Sequence, residues 1–282
     1  MLWICIAIAS KVKVFMSQRI SIINVGIDKT SYQDTCDRLI DLVHQNKSGY
    51  VVAANVHVVM TAYWDHDYRR VLANAEIVTP DGMPLVWGLR LLGANNQQRV
   101  YGPDLMLALC DRAMQENIAI YLFGATENTL ERLEQNLKVR FPKLAIAGKH
   151  APPKFDLKLD VNSPKFELQL AKDLEIIAQS GAKIIFVALG CPKQEFWMSY
   201  GIDRLPAVMI GVGAAFDFHS GRVSQAPRWM MAIGLEWLYR FSQEPMRLWQ
   251  RYLINNPCFV ILFGMQYLQQ KLWQKLQQKL KK

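Results

Sequence analysis

Ile184-Ile185-Phe186-Val187-Ala188-Leu189-Gly190-Cys191-Pro192-Lys193-Gln194-Glu195 is the stretch whose reading decides the fold. The run from Ile184 to Leu189 is entirely apolar and ends at a glycine, the pattern of a strand buried on both faces of a parallel sheet. Gly190 and Pro192 stop that strand and turn the chain. Pro192 suits a first helical turn, where its missing N–H costs nothing. Lys193, Gln194 and Glu195 therefore begin a helix at the carboxyl edge of the sheet, where open α/β sheets bind ligands. Taken alone, the same spacing also describes an ordinary strand-to-helix turn with solvated polar residues.

The chain on either side repeats the alternation. Strands are expected over residues 19–25, 50–54, 77–79, 118–123, 144–147 and 207–210. Helices are expected over 32–45, 58–73, 84–92, 103–116, 128–140 and 165–179, and a polar, proline-bearing loop over 151–164. Strands alternating with helices predict an α/β fold with a doubly wound, mostly parallel, Rossmann-like sheet. Asn55, Asp81, Gly124, Gly190 and Gly211 each follow an expected strand, so a parallel sheet gathers them on one rim. That convergence is the strongest evidence for a site that the residues give by themselves.

Composition narrows the class. Of 282 residues, 51% are hydrophobic and 20% charged, which suits a globular chain with a large core. The five cysteines are scattered without a CxxC pair, which argues against a zinc site or a disulfide framework. The net charge of +9 is concentrated: from Val223 onward nine Lys and Arg face only Glu236 and Glu244. A basic end without an aromatic-rich RNA signature points to an anionic membrane surface rather than nucleic acid. Residues 1–15 are expected to be a tail, either translated from an upstream start codon or loose, with a membrane-touching segment as the second reading. Residues 16–222 form the expected α/β domain and 223–282 a basic, aromatic-rich helical appendage. The apolar run 258–268 is too short to span a bilayer. Leu268, Leu272, Leu276 and Leu280 then recur at four, as do Lys271, Lys275 and Lys279, describing a basic amphipathic helix. Such a helix lies on an anionic bilayer, or docks on its own body or on a partner subunit.

Individual motifs are weaker. Asp81, between Pro80 and Gly82, is either a turn aspartate or a carboxylate base at a strand end. Asp65-His66-Asp67 imitates a metal-binding Asp-x-Asp, but inside an expected helix the two carboxylates diverge, so a solvated face is expected and no metal. Gly211-Val212-Gly213 lacks the third glycine and the later acidic residue of a dinucleotide site, so no nicotinamide cofactor is expected. Arg240, Arg247 and Arg251 are spaced by seven and four, alongside Glu236 and Glu244, with Pro245 expected to break the helix. They form either a surface ion-pair stripe or a cationic lid over a phosphate leaving group.

Taken in order, Asn55, Thr79-Pro80-Asp81-Gly82, Arg99 with Gly102-Pro103-Asp104-Leu105, Phe123-Gly124, Gly190 to Glu195, Gly211 to Asp217, Ala226-Pro227, Leu235 to Arg240, Glu244-Pro245 and Arg247 resemble the WecG/TagA/CpsF glycosyltransferase family, over about residues 20–253. The resemblance implies a membrane-associated, inverting, metal-independent transferase without a cofactor. Such enzymes move N-acetylmannosamine or its uronic acid from a UDP donor to a polyprenyl-diphosphate-linked sugar, in cell-surface polysaccharide synthesis. It implies Asp81 as base and Arg240 and Arg247 as the appendage arginines near the diphosphate. Asn55, Arg99, Gly124, Gly190, Gln194, Glu195, Gly211 and Gly213 are the candidate substrate-binding residues. The expected location is cytoplasmic, peripheral on the inner face of the plasma membrane, with room for a homo-oligomer. Two positions depart from the family pattern: Ala53 stands where a threonine is usual, and Lys149-His150 follow Gly148 where glycine and an aromatic are usual. Ala53 motivates an alternative reading, a non-catalytic accessory subunit that stimulates a partner transferase.

Overall fold

The computed structural model describes residues 18–153 and 164–280, so the expected tail and most of the expected loop at 151–164 lie outside the described residues. Six parallel strands form the central sheet: β3 (Gly49–Ala54), β4 (Ile77–Pro80), β5 (Ile120–Gly124), β6 (Ile146–His150), β7 (Ile184–Ala188) and β8 (Val208–Gly211), in the order β4-β3-β8-β7-β5-β6. β4, β5, β7 and β8 are buried along their whole length. That is why their sequences read as continuous apolar runs rather than alternating ones. One apolar layer, including Tyr50, Val52, Phe123, Val187 and Met209, packs on one face. A second, including Val51, Leu122, Phe186 and Ile210, packs on the other. The chain leaves β4 at one edge and resumes at β5 across the sheet, so the ends of β3, β8 and β7 frame the switch point where such sheets hold ligands.

Three expectations need correction. Residues 19–25 are not a strand of the sheet: β1 (Arg19–Ile22) and β2 (Val25–Asp28) form an antiparallel hairpin of their own. Ile23 and Asn24 both take positive φ, 48° and 64°, at the tight turn. The hairpin is anchored by Asp28, which is 2% exposed, pairs with Arg19 at 3.1 Å and accepts the Val78 N–H at 2.6 Å. The helix expected over 58–73 is broken at Asp65 into α2 (Val56–Trp64) and α3 (His66–Asn74). The Asp65 carboxylate accepts the Asp67 and Tyr68 N–H groups, both at 2.9 Å, so it caps α3 instead of lying on a helix face. The strand expected at 144–147 lies slightly later, as β6.

The remaining body helices are α1 (Tyr32–His44), α4 (Met83–Leu91), α5 (Gly102–Gln115), α6 (Glu127–Arg140), α7 (Pro164–Gln179), α8 (Lys193–Gly201) and α9 (Ala215–His219). Residues 223–280 carry α10 (Arg228–Ala232), α11 (Glu236–Gln243), α12 (Pro245–Leu253) and α13 (Asn255–Leu280). Pro245 does separate α11 from α12. The apolar run and the amphipathic stretch beyond it join as the single α13. No described helix is long and apolar enough to cross a membrane. The first half of α13 docks on the body: Phe259 is 4% exposed within the core, and Gln266 accepts the Ile23 N–H at 2.8 Å and donates to the Ser21 carbonyl at 2.7 Å. Its second half is bare, with Leu268, Leu272, Trp273, Leu276 and Leu280 exposed. Phe259→Ala should therefore destabilise the whole protein by about 3–5 kcal/mol in urea unfolding. A loss below about 1 kcal/mol would mean that α13 is not part of the core.

Candidate active site

A cleft of about 850 Å³ opens at the carboxyl ends of β3, β7 and β8. Its floor includes Asn55, Asp81, Gly190, Gln194, Gly211 and Gly213, and its far wall Arg240, Arg247 and Arg251 from the appendage. A recess of about 90 Å³ shares Asn55, His57, Asp81, Arg240 and Arg251 with it, and adds Arg99, Glu236 and Trp237.

Asp81 follows β4 directly, its N–H held by the Ala54 carbonyl at 2.8 Å. Its Oδ1 accepts the Gly102 N–H at 3.2 Å and faces Arg99 at 3.7 Å. Its Oδ2 takes no hydrogen bond among the described residues. Burial pushes the Asp81 carboxyl up to about 6, with Arg99 opposing and Glu236 adding to the rise. Arg99 is wholly engaged: it donates to the Asp81 carbonyl, pairs with Glu236 at 2.6 Å and lies 4.0 Å over the Tyr101 ring. The Tyr101 hydroxyl donates to the other Glu236 oxygen at 3.0 Å. Arg99 thus orients the carboxylate, and Glu236 ties α11 to the body.

Arg240 and Arg251 differ from Arg99 in having no ion pair among the described residues. Arg251 is the more exposed to cost: burial lowers its basicity, and neighbouring Arg240 lowers it further. Its Nε is buried without a hydrogen bond, and its terminal nitrogen only grazes Asn55 Oδ1 at 3.4 Å. Beside it, burial and then Arg251 push His57 down to about 3, so the imidazole is neutral and faces Asn255 at 3.2 Å. Arg247 is paired with Glu244 and its side chain is 55% exposed.

The other candidates divide. Asn55 caps α2, its Oδ1 accepting the His57 and Val58 N–H groups at 3.0 and 3.3 Å. Gly190, Gln194, Gly211 and Gly213 line the cleft, and Gly211 leaves room for Gln194, whose Nε2 lies 2.9 Å from where a Cβ would stand. Pro192 is the N-cap of α8 rather than its first helical residue. Glu195 is fully buried behind Gln194, away from the cleft surface. Gly124 serves the backbone: its φ is +111° and a Cβ would stand 2.5 Å from the Ala188 carbonyl oxygen. Ala53 lines the cleft, and His150 pairs with Asp173 at 3.2 Å beside an adjoining cavity of about 480 Å³. The cleft and its recess add His57 and Tyr101, to which the sequence does not point, and Arg251 and Glu236, which it offers only as members of a stripe or lid. The spacing of seven and four is the signal for Arg251, and it does not show which of the three arginines stays exposed.

A parallel sheet whose switch point holds the half-buried Asp81 carboxylate opposite the half-buried Arg240 and Arg251 has the layout of an α/β ligand cleft with a cationic wall. The model of the glycosyl transferase WecG/TagA/CpsF family matches residues 20–275. An N-acetylglucosaminyldiphosphoundecaprenol N-acetyl-beta-D-mannosaminyltransferase of Bacillus spizizenii is 33% identical over 217 residues, covering 77% of this chain and 79% of the relative. One of the same name from Bacillus subtilis is 31% identical over 230 residues, covering 81% and 84%. The chain belongs to the WecG/TagA/CpsF glycosyltransferase family.

The Asp81 environment has a consequence for stability. Its folded value of about 6 exceeds the ordinary 3.8, so between those values the native state holds a proton that the unfolded chain has lost. Stability contributed by this group therefore falls as pH rises through that window. Asp81→Asn should match the wild type near pH 4 and exceed it at pH 8, by about 1–3 kcal/mol in chemical unfolding. A variant less stable at pH 8 would show that the carboxylate is held favourably.

Proposed function

We propose that this protein transfers N-acetylmannosamine from a UDP donor to an N-acetylglucosaminyl-diphosphate polyprenyl acceptor, with inversion and without a metal ion. The observation that carries the reading is Asp81: a carboxylate raised toward neutrality, with one oxygen held and the other open to a cleft whose opposite wall is cationic. The names of both relatives supply the transferred sugar and the acceptor. A volume of about 850 Å³ suits a nucleotide sugar with part of an acceptor.

In the proposed step Asp81 Oδ2 takes the proton of an acceptor hydroxyl. That oxygen bonds to the anomeric carbon as the bond from that carbon to the diphosphate breaks. The electron pair leaves with UDP. Arg240 and Arg251, already desolvated and without carboxylate partners, stabilise the charge that develops on the departing diphosphate. This is the role otherwise filled by a divalent ion. Asp65, the start of the Asp-x-Asp, is engaged as the cap of α3. Arg247 stands at the mouth, where it meets the lipid-proximal part of the acceptor. Exposed Trp229, Ile233, Met246, Trp249 and Leu253, with the basic second half of α13, support seating on an anionic bilayer so that the lipid-linked diphosphate reaches the cleft.

Turnover of UDP-N-acetylmannosamine with a short-chain lipid-linked acceptor tests the reading. kcat/KM should fall tenfold per pH unit below a limb near pH 6, and Asp81→Asn should remove that limb while lowering turnover about 10²–10⁴-fold, in EDTA as without it. A limb that survives in Asp81→Asn assigns the base elsewhere. Arg251→Ala should cost at least about 100-fold in kcat, against less than about tenfold for Arg247→Ala, because Arg251 carries a buried Nε without a hydrogen bond while Arg247 is exposed and paired with Glu244. Equal losses would contradict the assignment.

A further inference from the structure

Gln194 and Glu195, at the start of α8, form a buried pair that the displacement above does not use. Gln194 is 5% exposed and Glu195 fully buried. Gln194 Nε2 donates to Glu195 Oε1 at 2.8 Å. An ionised carboxylate only accepts hydrogen bonds, so it selects the NH2 end of the glutamine amide and turns the oxygen end away. That oxygen, Gln194 Oε1, is buried and takes no hydrogen bond among the described residues. It faces the Gly213 side, where a Cβ built on Gly213 would stand 3.7 Å from it. Both Gln194 and Gly213 line the cleft. A buried carbonyl oxygen left without a partner is costly, and one at a cleft wall is satisfied by whatever fills the cleft.

We infer that Glu195 is a positioning residue that locks the Gln194 amide with its oxygen toward the cleft, so that Gln194 reads one N–H or O–H donor of the bound nucleotide sugar. The identity of the ligand rests on the function proposed above; the orientation of the amide rests on the geometry alone. The Tyr68 hydroxyl, the Cys191 thiol and the Arg251 charge are the other groups that bear on Glu195. Tyr68 and Cys191 are themselves joined at 3.2 Å, and Glu195 Oε2 takes no hydrogen bond among the described residues, so the amide of Gln194 is the group the carboxylate directs. The donor on the ligand is either on the nucleotide or on the sugar, and the two are separable by titrating UDP against UDP-N-acetylmannosamine.

Two measurements on the full chain test this. The first is ligand-free NMR at pH 8, above the value of about 7 to which burial raises Glu195. The Gln194 side-chain amide, assigned as the signal lost in Gln194→Met, should exchange with water at least about tenfold more slowly in the wild type than in Glu195→Gln, which keeps the side-chain size. The second is calorimetric titration. Gln194→Met should weaken binding by about 10–100-fold. Glu195→Gln should weaken it by about 3–10-fold in the wild-type background and by less than twofold in Gln194→Met, because it acts only through Gln194. A loss seen with UDP places the donor on the nucleotide; a loss confined to UDP-N-acetylmannosamine places it on the sugar, and both support the inference. Equal weakening by Glu195→Gln in the two backgrounds, or amide exchange unchanged by it, overturns the positioning role. If the wild type binds neither ligand, the nucleotide-sugar reading fails, and the exchange measurement still decides the orientation.

Discussion

Charge taken out of water at one edge of the sheet is the constraint on which the rest of the structure depends. Arg99, Arg240 and Arg251 meet there with Asp81 and Glu236. Arg99 absorbs both carboxylates, leaving Arg240 and Arg251 half-buried with a cationic excess. A buried charge without a counterion is expensive, and the protein sustains it only where an anion completes the set. In the proposed reaction, binding of a diphosphate and stabilisation of it as a leaving group are the same electrostatic arrangement before and after bond cleavage.

The fold supplies that arrangement through two independent features. The parallel sheet delivers Asp81, Asn55 and the glycine-bearing turns to one rim because every strand points the same way. The appendage delivers the cations, and it is not loosely attached. Glu236 reaches across to Arg99, and Phe259 and Gln266 seat α13 on the core and the β1–β2 hairpin. The Arg99–Glu236 pair therefore couples the orientation of Asp81 to the docking of the arginines. Behind the cleft, Glu195 fixes which end of the Gln194 amide, donor or acceptor, it meets.

Much of this was legible in the sequence, for a physical reason. Doubly buried strands need unbroken apolar runs, and a parallel sheet then forces the residues after them together, so Asp81, Gly190 and Gly211 could be grouped without coordinates. What could not be read depended on which partner a side chain finds. Glu236 reads as one member of a surface stripe, yet it crosses to Arg99, 137 residues away in sequence. Arg247 and Arg251 share one face of α12 and both line the cleft, and only the docking of that helix decides that Arg251 sits the deeper of the two. Gly124 looks like a site glycine because it follows a strand; its reason is the Ala188 carbonyl pressed against it. The split at Asp65 and the hairpin at Ile23-Asn24 are local choices in which capping and turn chemistry override apolar periodicity.

The most direct test of the central claim is a crystal structure of the protein with UDP. The diphosphate should lie within hydrogen-bonding distance of both Arg240 and Arg251, with Asp81 Oδ2 facing the vacant sugar position. A diphosphate held at the exposed Arg247 with Arg251 untouched would contradict it.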